Sequence, residues 1–207
     1  MKLLHVEASP RKDRSASLEA ARAFVAGWRR RHPDGVVDVL DIWSTPMPEF
    51  DHEALEAKYA GLAGLALTPA QSAAWDQLRA LAGRFSAADV VLFSVPMWNY
   101  GIPYKLKHLI DAVSQKDLLF TFDERGQRGM LGGKRGVVVC ARGVALGPDF
   151  PRNEYDHQGT YMRLWFKMVG ITDVSVIEAE KTLLGAGPDK ESRAMARQAA
   201  EALAASY

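Results

Sequence analysis

Cysteine is almost missing from this chain: Cys140 is the only one in 207 residues, which excludes an intrachain disulfide and a multi-cysteine metal site. It closes a run of small apolar residues and reads as a buried small hydrophobe. No apolar run reaches the roughly 18 residues that a membrane span requires. Charge of one sign is not in excess either. Lys and Arg number 26 against 25 Asp and Glu, a net charge of +1, so no overall field favours nucleic acid or an anionic membrane. The one basic run, Arg29-Arg30-Arg31-His32, falls where a helix is expected to end and complements its dipole. The amino terminus enters a strand pattern without the apolar core of a signal peptide, so the cytoplasm is the expected location. There is no internal repeat and no low-complexity tract. A glycine-rich phosphate loop is also lacking. Gly132-Gly133-Lys134-Arg135 places Arg where a Walker loop needs Ser or Thr, and a strand follows it instead of a helix.

What is present is alternation. With 48% hydrophobic residues, the chain can bury one full core, and residues 1–207 are expected to form a single domain. Strand-like runs recur at Lys2 to Glu7, Val36 to Asp41, Asp89 to Ser94, Gly136 to Cys140 and Asp173 to Glu178, with helical patterns between them. Leu18, Ala21, Phe24, Val25 and Trp28 make one apolar stripe on a first helix. Thr68-Pro69-Ala70-Gln71 opens another as a capping box with proline at the first helical position. Further helices are expected over Tyr104 to Ser114, Gly159 to Val169 and Pro188 to Ala205. Strands alternating with helices imply an α/β three-layer sandwich, a five-stranded parallel sheet with helices on both faces. The flavodoxin-like strand order 2-1-3-4-5 suits it best, because the loops described next then flank its switch point. Two excursions interrupt the pattern: Ile42 to Leu67, with a short helical piece near Glu53 to Tyr59, and a β-hairpin from Phe120 to Met130.

Three loops at strand ends carry the functional signal. The first, Ala8 to Ser17, brings Ser9, Ser15 and Ser17 to a helix N-terminus, where N–H groups and the dipole favour an anion. Helix capping is the ordinary alternative for these serines. Lacking the Rossmann glycines and the Walker lysine, the loop suits a single monophosphate. The second is Pro96-Met97-Trp98-Asn99-Tyr100-Gly101-Ile102-Pro103. Its prolines fix two φ angles, Gly101 is expected to supply an otherwise forbidden one, and Met97, Trp98 and Tyr100 offer flat or polarizable surface to a planar ring. Asn99 and the neighbouring amides would meet the edge of a heterocycle. The third, Ala141-Arg142-Gly143-Val144, places N–H groups and a cation where a ring's carbonyl edge would gather charge on reduction. Taken alone, Arg142 reads equally as an ordinary surface cation. Phosphate, ring and carbonyl edge, in that order, describe an FMN site.

With these residues in view, the sequence resembles the family of FMN-dependent NADH:azoreductases and NAD(P)H:quinone oxidoreductases of flavodoxin-like fold. The likeness runs along nearly the whole chain. Its strongest anchors are Pro96 to Tyr100, Gly101-Ile102-Pro103 to Leu106-Lys107, the Thr121-Phe122 hairpin leading to Gly133-Lys134, and Arg142-Gly143; Gly170 to Val174 and Ala179-Glu180 extend it. The family pattern often has Tyr-Asn-Phe at Trp98-Asn99-Tyr100, and a second glycine at Val144. The resemblance implies one noncovalent FMN per subunit, held by Ser9, Ser15, Ala16, Ser17, Pro96 to Tyr100 and Ala141 to Val144. It implies NADH or NADPH as donor, a quinone or aromatic azo compound as acceptor, ping-pong turnover and no catalytic side chain, since the cofactor carries the chemistry. It also supports a homodimer, as does the hairpin, whose phenylalanines have no obvious core of their own. Phe120, Phe122 and His157 are candidates for the acceptor pocket, though a loop histidine beside a carboxylate is also an ordinary surface hydrogen-bonding group. A flavodoxin-type electron carrier or a non-catalytic FMN-binding regulator is the alternative. Near-neutral charge and the two excursions favour the enzyme.

Overall fold

A computed structural model describes residues 1–207. In chain order the elements are β1 (Lys2–Glu7), α1 (Ala16–Arg31), β2 (Val36–Asp41), α2 (His52–Leu62), α3 (Pro69–Ala87), β3 (Val90–Pro96) and α4 (Tyr104–Val113). They continue with β4 (Phe120–Asp123), β5 (Gly126–Gly129), β6 (Arg135–Ala141), α5 (Arg152–Tyr155), α6 (Gly159–Val169), β7 (Asp173–Ala179) and α7 (Ala186–Ala204). Five parallel strands form the main sheet in the order β2-β1-β3-β6-β7. The hairpin strands β4 and β5 pair only with each other, so the fourth and fifth strands of the sheet are β6 and β7.

The strands are apolar on both faces because helices cover both. Leu3, Val90, Leu92, Val137 and Val139 pack with Phe24 and Trp28 of α1 and the alanines of α7. Leu4, Val6, Val91, Phe93 and Val138 face α3, α4 and α6. On that side Phe93 meets Trp165 edge-on with ring centroids 5.4 Å apart and Phe166 at 5.6 Å. Each such fully buried side chain contributes about 1.5–3 kcal/mol. Cys140 is fully buried in this layer, and burial pushes its thiol up to about 12, as a small hydrophobe would have it.

Local signals set several boundaries. The Thr68 hydroxyl accepts from the Gln71 N–H at 3.3 Å and the Gln71 side chain accepts from the Thr68 N–H at 2.9 Å, with Pro69 opening α3. Gly170 ends α6 at φ 94°. There the hairpin packs so closely that a Cβ on Gly129 would lie 2.1 Å from the Gly170 nitrogen. A 3-10 turn at Lys12–Arg14 and the one-turn α5 have no counterpart in the sequence pattern. No helix is long and apolar enough to cross a membrane.

The register decides where a ligand can sit. Glu7 of β1 pairs with Ser94 of β3, which pairs with Val139 of β6, so the C-terminal ends of these strands lie side by side. Chain order reverses between β1 and β3, and the crevice beyond such a switch point is the binding place of open α/β sheets.

Candidate functional site

The loop after β1 turns through Lys12–Arg14 and enters α1 with Ser15 as N-cap. The Ser15 hydroxyl accepts from the Leu18 N–H at 3.4 Å and lies 3.1 Å from the Ser17 hydroxyl, while the Ser9 hydroxyl accepts from the Arg11 N–H at 3.4 Å. Capping does not exclude an anion here: the first-turn N–H groups of Ala16 and Ser17 have no intrahelical carbonyl to take them. Lys12 does not point at this opening. Its ammonium pairs with Asp41 and reaches Ser44. Beneath the loop, His5 is buried with Nε2 3.1 Å from the Ser94 hydroxyl, and burial, helped by Arg22, pushes it down to about 4. Glu7, where β1 ends, is raised above the usual carboxylate value, first by burial and then by Asp41 and Asp13 against Arg22 and Lys12.

The loop after β3 is a tight turn. Trp98 and Gly101 exchange both backbone hydrogen bonds, at 3.0 and 2.9 Å. Between them Asn99 and Tyr100 both sit in the left-handed region, at φ 47° and 67°. This corrects the expectation for Gly101, which is not among the positive-φ glycines. The strain falls on two side-chain-bearing residues, at about 1–2 kcal/mol each. Contacts distant in sequence hold them: the Tyr100 carbonyl accepts from the His157 N–H at 3.1 Å, the Tyr100 ring meets Tyr155 at 5.1 Å, and the Met97 N–H donates to Ala141 at 2.7 Å. The N–H groups of Asn99 and Tyr100 donate to no carbonyl of the chain.

The loop after β6 corrects the surface reading of Arg142. Its side chain has 0% exposure and lies against Glu178 at 3.1 Å, Glu180 at 3.4 Å and Asp156 at 3.8 Å. The Gly143 and Val144 N–H groups donate to no carbonyl of the chain, and Val144 lies outside the left-handed region, so a β-branched residue fits there without strain.

One cavity of about 120 Å³ joins the three loops: Ser9, Arg11, Ser15 and Ala16 line it from the first, Pro96, Met97 and Trp98 from the second, Ala141, Arg142 and Gly143 from the third. Thr182 and Leu183, after β7, close it, and their N–H groups donate to the Arg142 and Gly143 carbonyls at 3.2 and 3.1 Å. A larger cleft of about 720 Å³ continues past Trp98 and Asn99 between Phe50 and α4. Ser17 lies below the cavity with its hydroxyl on Ser15. Phe120, Phe122 and His157 line neither space within one chain: Phe122 stands 56% exposed on the hairpin, and His157 enters through its backbone. Sequence reasoning missed Trp43, Thr182 and Leu183. Trp43 donates Nε1–H to the Ala8 carbonyl at 3.1 Å and packs 5.7 Å from both Trp98 and Tyr104, tying the first loop to the second. Its signal was its place two residues after β2, beside the switch point.

Comparison with known proteins agrees with this fold. A family model described as flavodoxin-like fold matches residues 1–204. The FMN-dependent NADH:quinone oxidoreductase 2 of Pseudomonas syringae pv. tomato is 52% identical over 183 residues, 88% of each chain. The FMN-dependent NADH:quinone oxidoreductase 9 of Burkholderia lata is 52% identical over 198 residues, 94% of each chain. Among solved structures, an azoreductase from Bacillus anthracis str. Sterne superposes with a TM-score of 0.90 over 100% of both chains at 24% identity, a likeness of fold.

Proposed function

We propose, since this chain belongs to the flavodoxin-like fold family and to its FMN-dependent NADH:quinone oxidoreductases, that it reduces quinones and aromatic azo compounds by a ping-pong route over one face of the flavin. It is an FMN-dependent oxidoreductase with NADH as donor. The observation that carries the reading is the meeting of the three loops in one cavity at the switch point. The donor set fits the cofactor: Ser9, Ser15 and the first-turn N–H groups of α1 for the phosphate, Met97 and Trp98 in the cavity wall with Asn99 in the adjoining cleft for the ring, and the unpaired Gly143 N–H, with that of Val144 next in the chain, for the carbonyl edge.

FMN, when bound, would supply the redox chemistry, a hydride taken from the nicotinamide and two electrons given to the acceptor. The residues of the chain orient and stabilise. The Gly143 and Val144 N–H groups offer dipoles where negative charge develops, fixed beforehand by the fold. Trp98 and Tyr104 present aromatic surface beside the cleft in which a flat acceptor is held. Solvent supplies the protons, so no side chain serves as general acid. The chain works as a homodimer in which the hairpin's Phe120 and Phe122 meet the pocket of the other protomer. Supporting this, Phe122 is 56% exposed on the hairpin and no intrachain core receives it.

Anaerobic mixing with NADH bleaches the bound FMN without any added reductase, which an electron carrier does not do. Double-reciprocal plots against NADH at several fixed quinone concentrations give parallel lines. Intersecting lines with a ternary nicotinamide–quinone complex would overturn the shared face, and a monodisperse monomer fully active at high dilution would overturn the dimer.

A further inference from the structure

Arg142 belongs to a cluster that the redox chemistry does not require. Its guanidinium meets Glu178, Glu180 and Asp156, and Arg152 closes the group from outside with two bonds of 2.7 Å to Glu178. Arg142 Nε is buried without a hydrogen-bond partner. Such a cluster is costly to desolvate, so its use lies in what it holds in place. Two guanidiniums face three carboxylates, so the group as a whole offers no positive charge to a ring. Nor is the side chain open to a bound molecule: it has no exposed surface, although the residue borders the cavity.

What the cluster holds is both walls of that cavity. On one side Glu180 accepts from the Leu146 N–H at 3.2 Å, and the Arg142 carbonyl accepts from Thr182, so the 141–146 loop is closed on the end of β7. On the other, Asp156 accepts from the Gly159 N–H at 2.7 Å where α6 begins. The two residues after it reach the ring side: the His157 N–H holds the Tyr100 carbonyl and the Gln158 amide donates to Val95 at 2.9 Å. One buried side chain therefore joins the carbonyl-edge loop to the segment that anchors the Trp98–Gly101 turn.

We infer that Arg142 is a positioning residue: through Glu178, Glu180 and Asp156 its guanidinium fixes the spacing of the two loops that grip the flavin, and so sets cofactor affinity and reduction potential without itself touching the cofactor. This rests on the FMN reading above. The test compares Arg142→Lys, Arg142→Met and the near-isosteric Glu180→Gln by FMN titration, midpoint potential, thermal unfolding and amide exchange at 143–146 in cofactor-free protein. Lysine keeps the charge but cannot fork between carboxylates. It is expected to fail as a rescue: FMN weakens by about tenfold or more, the potential moves as far as in Arg142→Met, and exchange at 143–146 accelerates. Glu180→Gln shows the same changes to a smaller degree. Wild-type affinity and potential in Arg142→Lys would overturn the inference in favour of a simple charge effect. Wild-type values in a folded Arg142→Met would reduce the residue to core stability. If Arg142→Met does not fold, the other two variants decide. Wild-type protein that takes up no FMN refutes the cofactor reading, and amide exchange still judges the latch.

Discussion

The Ala8 to Ser17 loop and the Trp98 to Gly101 turn leave neighbouring strands of one sheet, and they are held by different means. The first builds its turns from its own sequence, although Ser94 and Trp43 tether its start to the sheet: Ser15 caps α1, Ser9 accepts from Arg11 two residues on, and the 3-10 turn closes through the Ser15 N–H to Lys12. Its one left-handed residue, Lys12, is secured by Asp41. The second stores strain at Asn99 and Tyr100 and depends on His157, Tyr155 and Ala141, which are far away in the chain. An anion can be received by a helix terminus that folding supplies anyway. A planar ring has to be met at defined distances on several sides, which local bonding does not provide.

If the first loop is the phosphate end, Ser9→Ala with Ser15→Ala should weaken FMN by about 3–6 kcal/mol, each lost bond to a charged group contributing about 1.5–3. Riboflavin, lacking the phosphate, should bind both proteins alike. Fluorescence titration with the two flavins checks this, and a parallel loss for riboflavin would show that the serines shape the whole cavity. Unfolding of the cofactor-free protein should record about 1 kcal/mol for the missing cap.

Acid should strike the first loop from beneath. His5 is pushed from its ordinary 6.5 down to about 4 by burial, with Arg22 adding to the shift. The unfolded chain therefore binds the extra proton between those values and the folded chain does not, so stability rises with pH across this window. The contribution is complete above about pH 6.5 and falls by about 3 kcal/mol as pH drops toward 4. Denaturant unfolding of wild type and His5→Gln over this range should show a steeper slope for wild type. Equal slopes would mean that His5 is protonated in the folded state.

The same division governs how much was legible in the sequence. Boundaries set by neighbours in the chain could be read directly: the Thr68 capping box, the arginines ending α1, the hairpin, and strands apolar on both faces. The residues of the three loops could be named because each follows a strand that the pattern locates. Their long-range partners could not. Nothing in Arg142-Gly143 shows that the guanidinium turns inward to Glu178 and Glu180, because that needs the β6–β7 register. Nor does Trp43 declare that it will bridge Ala8 and Trp98. Gly101 was misread for a related reason: glycine is the default for a left-handed residue, and only contacts distant in sequence let Asn99 and Tyr100 take that conformation instead.

Strain in the aromatic turn can be measured by a sign reversal. Tyr100→Gly and Tyr100→Ala both lose the ring contact with Tyr155, so their difference isolates the backbone. At an ordinary position alanine is the more stable by about 0.5–1 kcal/mol. At φ 67° glycine should win by about 1 kcal/mol. Thermal unfolding of the two cofactor-free variants decides, and alanine in the lead would remove strain from the account of this turn.

Gly101→Ala should have the smallest effect, and it completes the contrast. Gly101 lies outside the left-handed region, and a Cβ added to it would meet nothing closer than the Trp98 carbonyl oxygen at 3.8 Å, ordinary van der Waals contact. Its N–H and carbonyl keep their bonds to Trp98 whatever the side chain. The substitution should shift unfolding by less than about 0.5 kcal/mol and leave FMN affinity unchanged. A loss above about 1 kcal/mol would mean that the turn needs glycine for its backbone after all, and that Asn99 and Tyr100 are not where its strain resides.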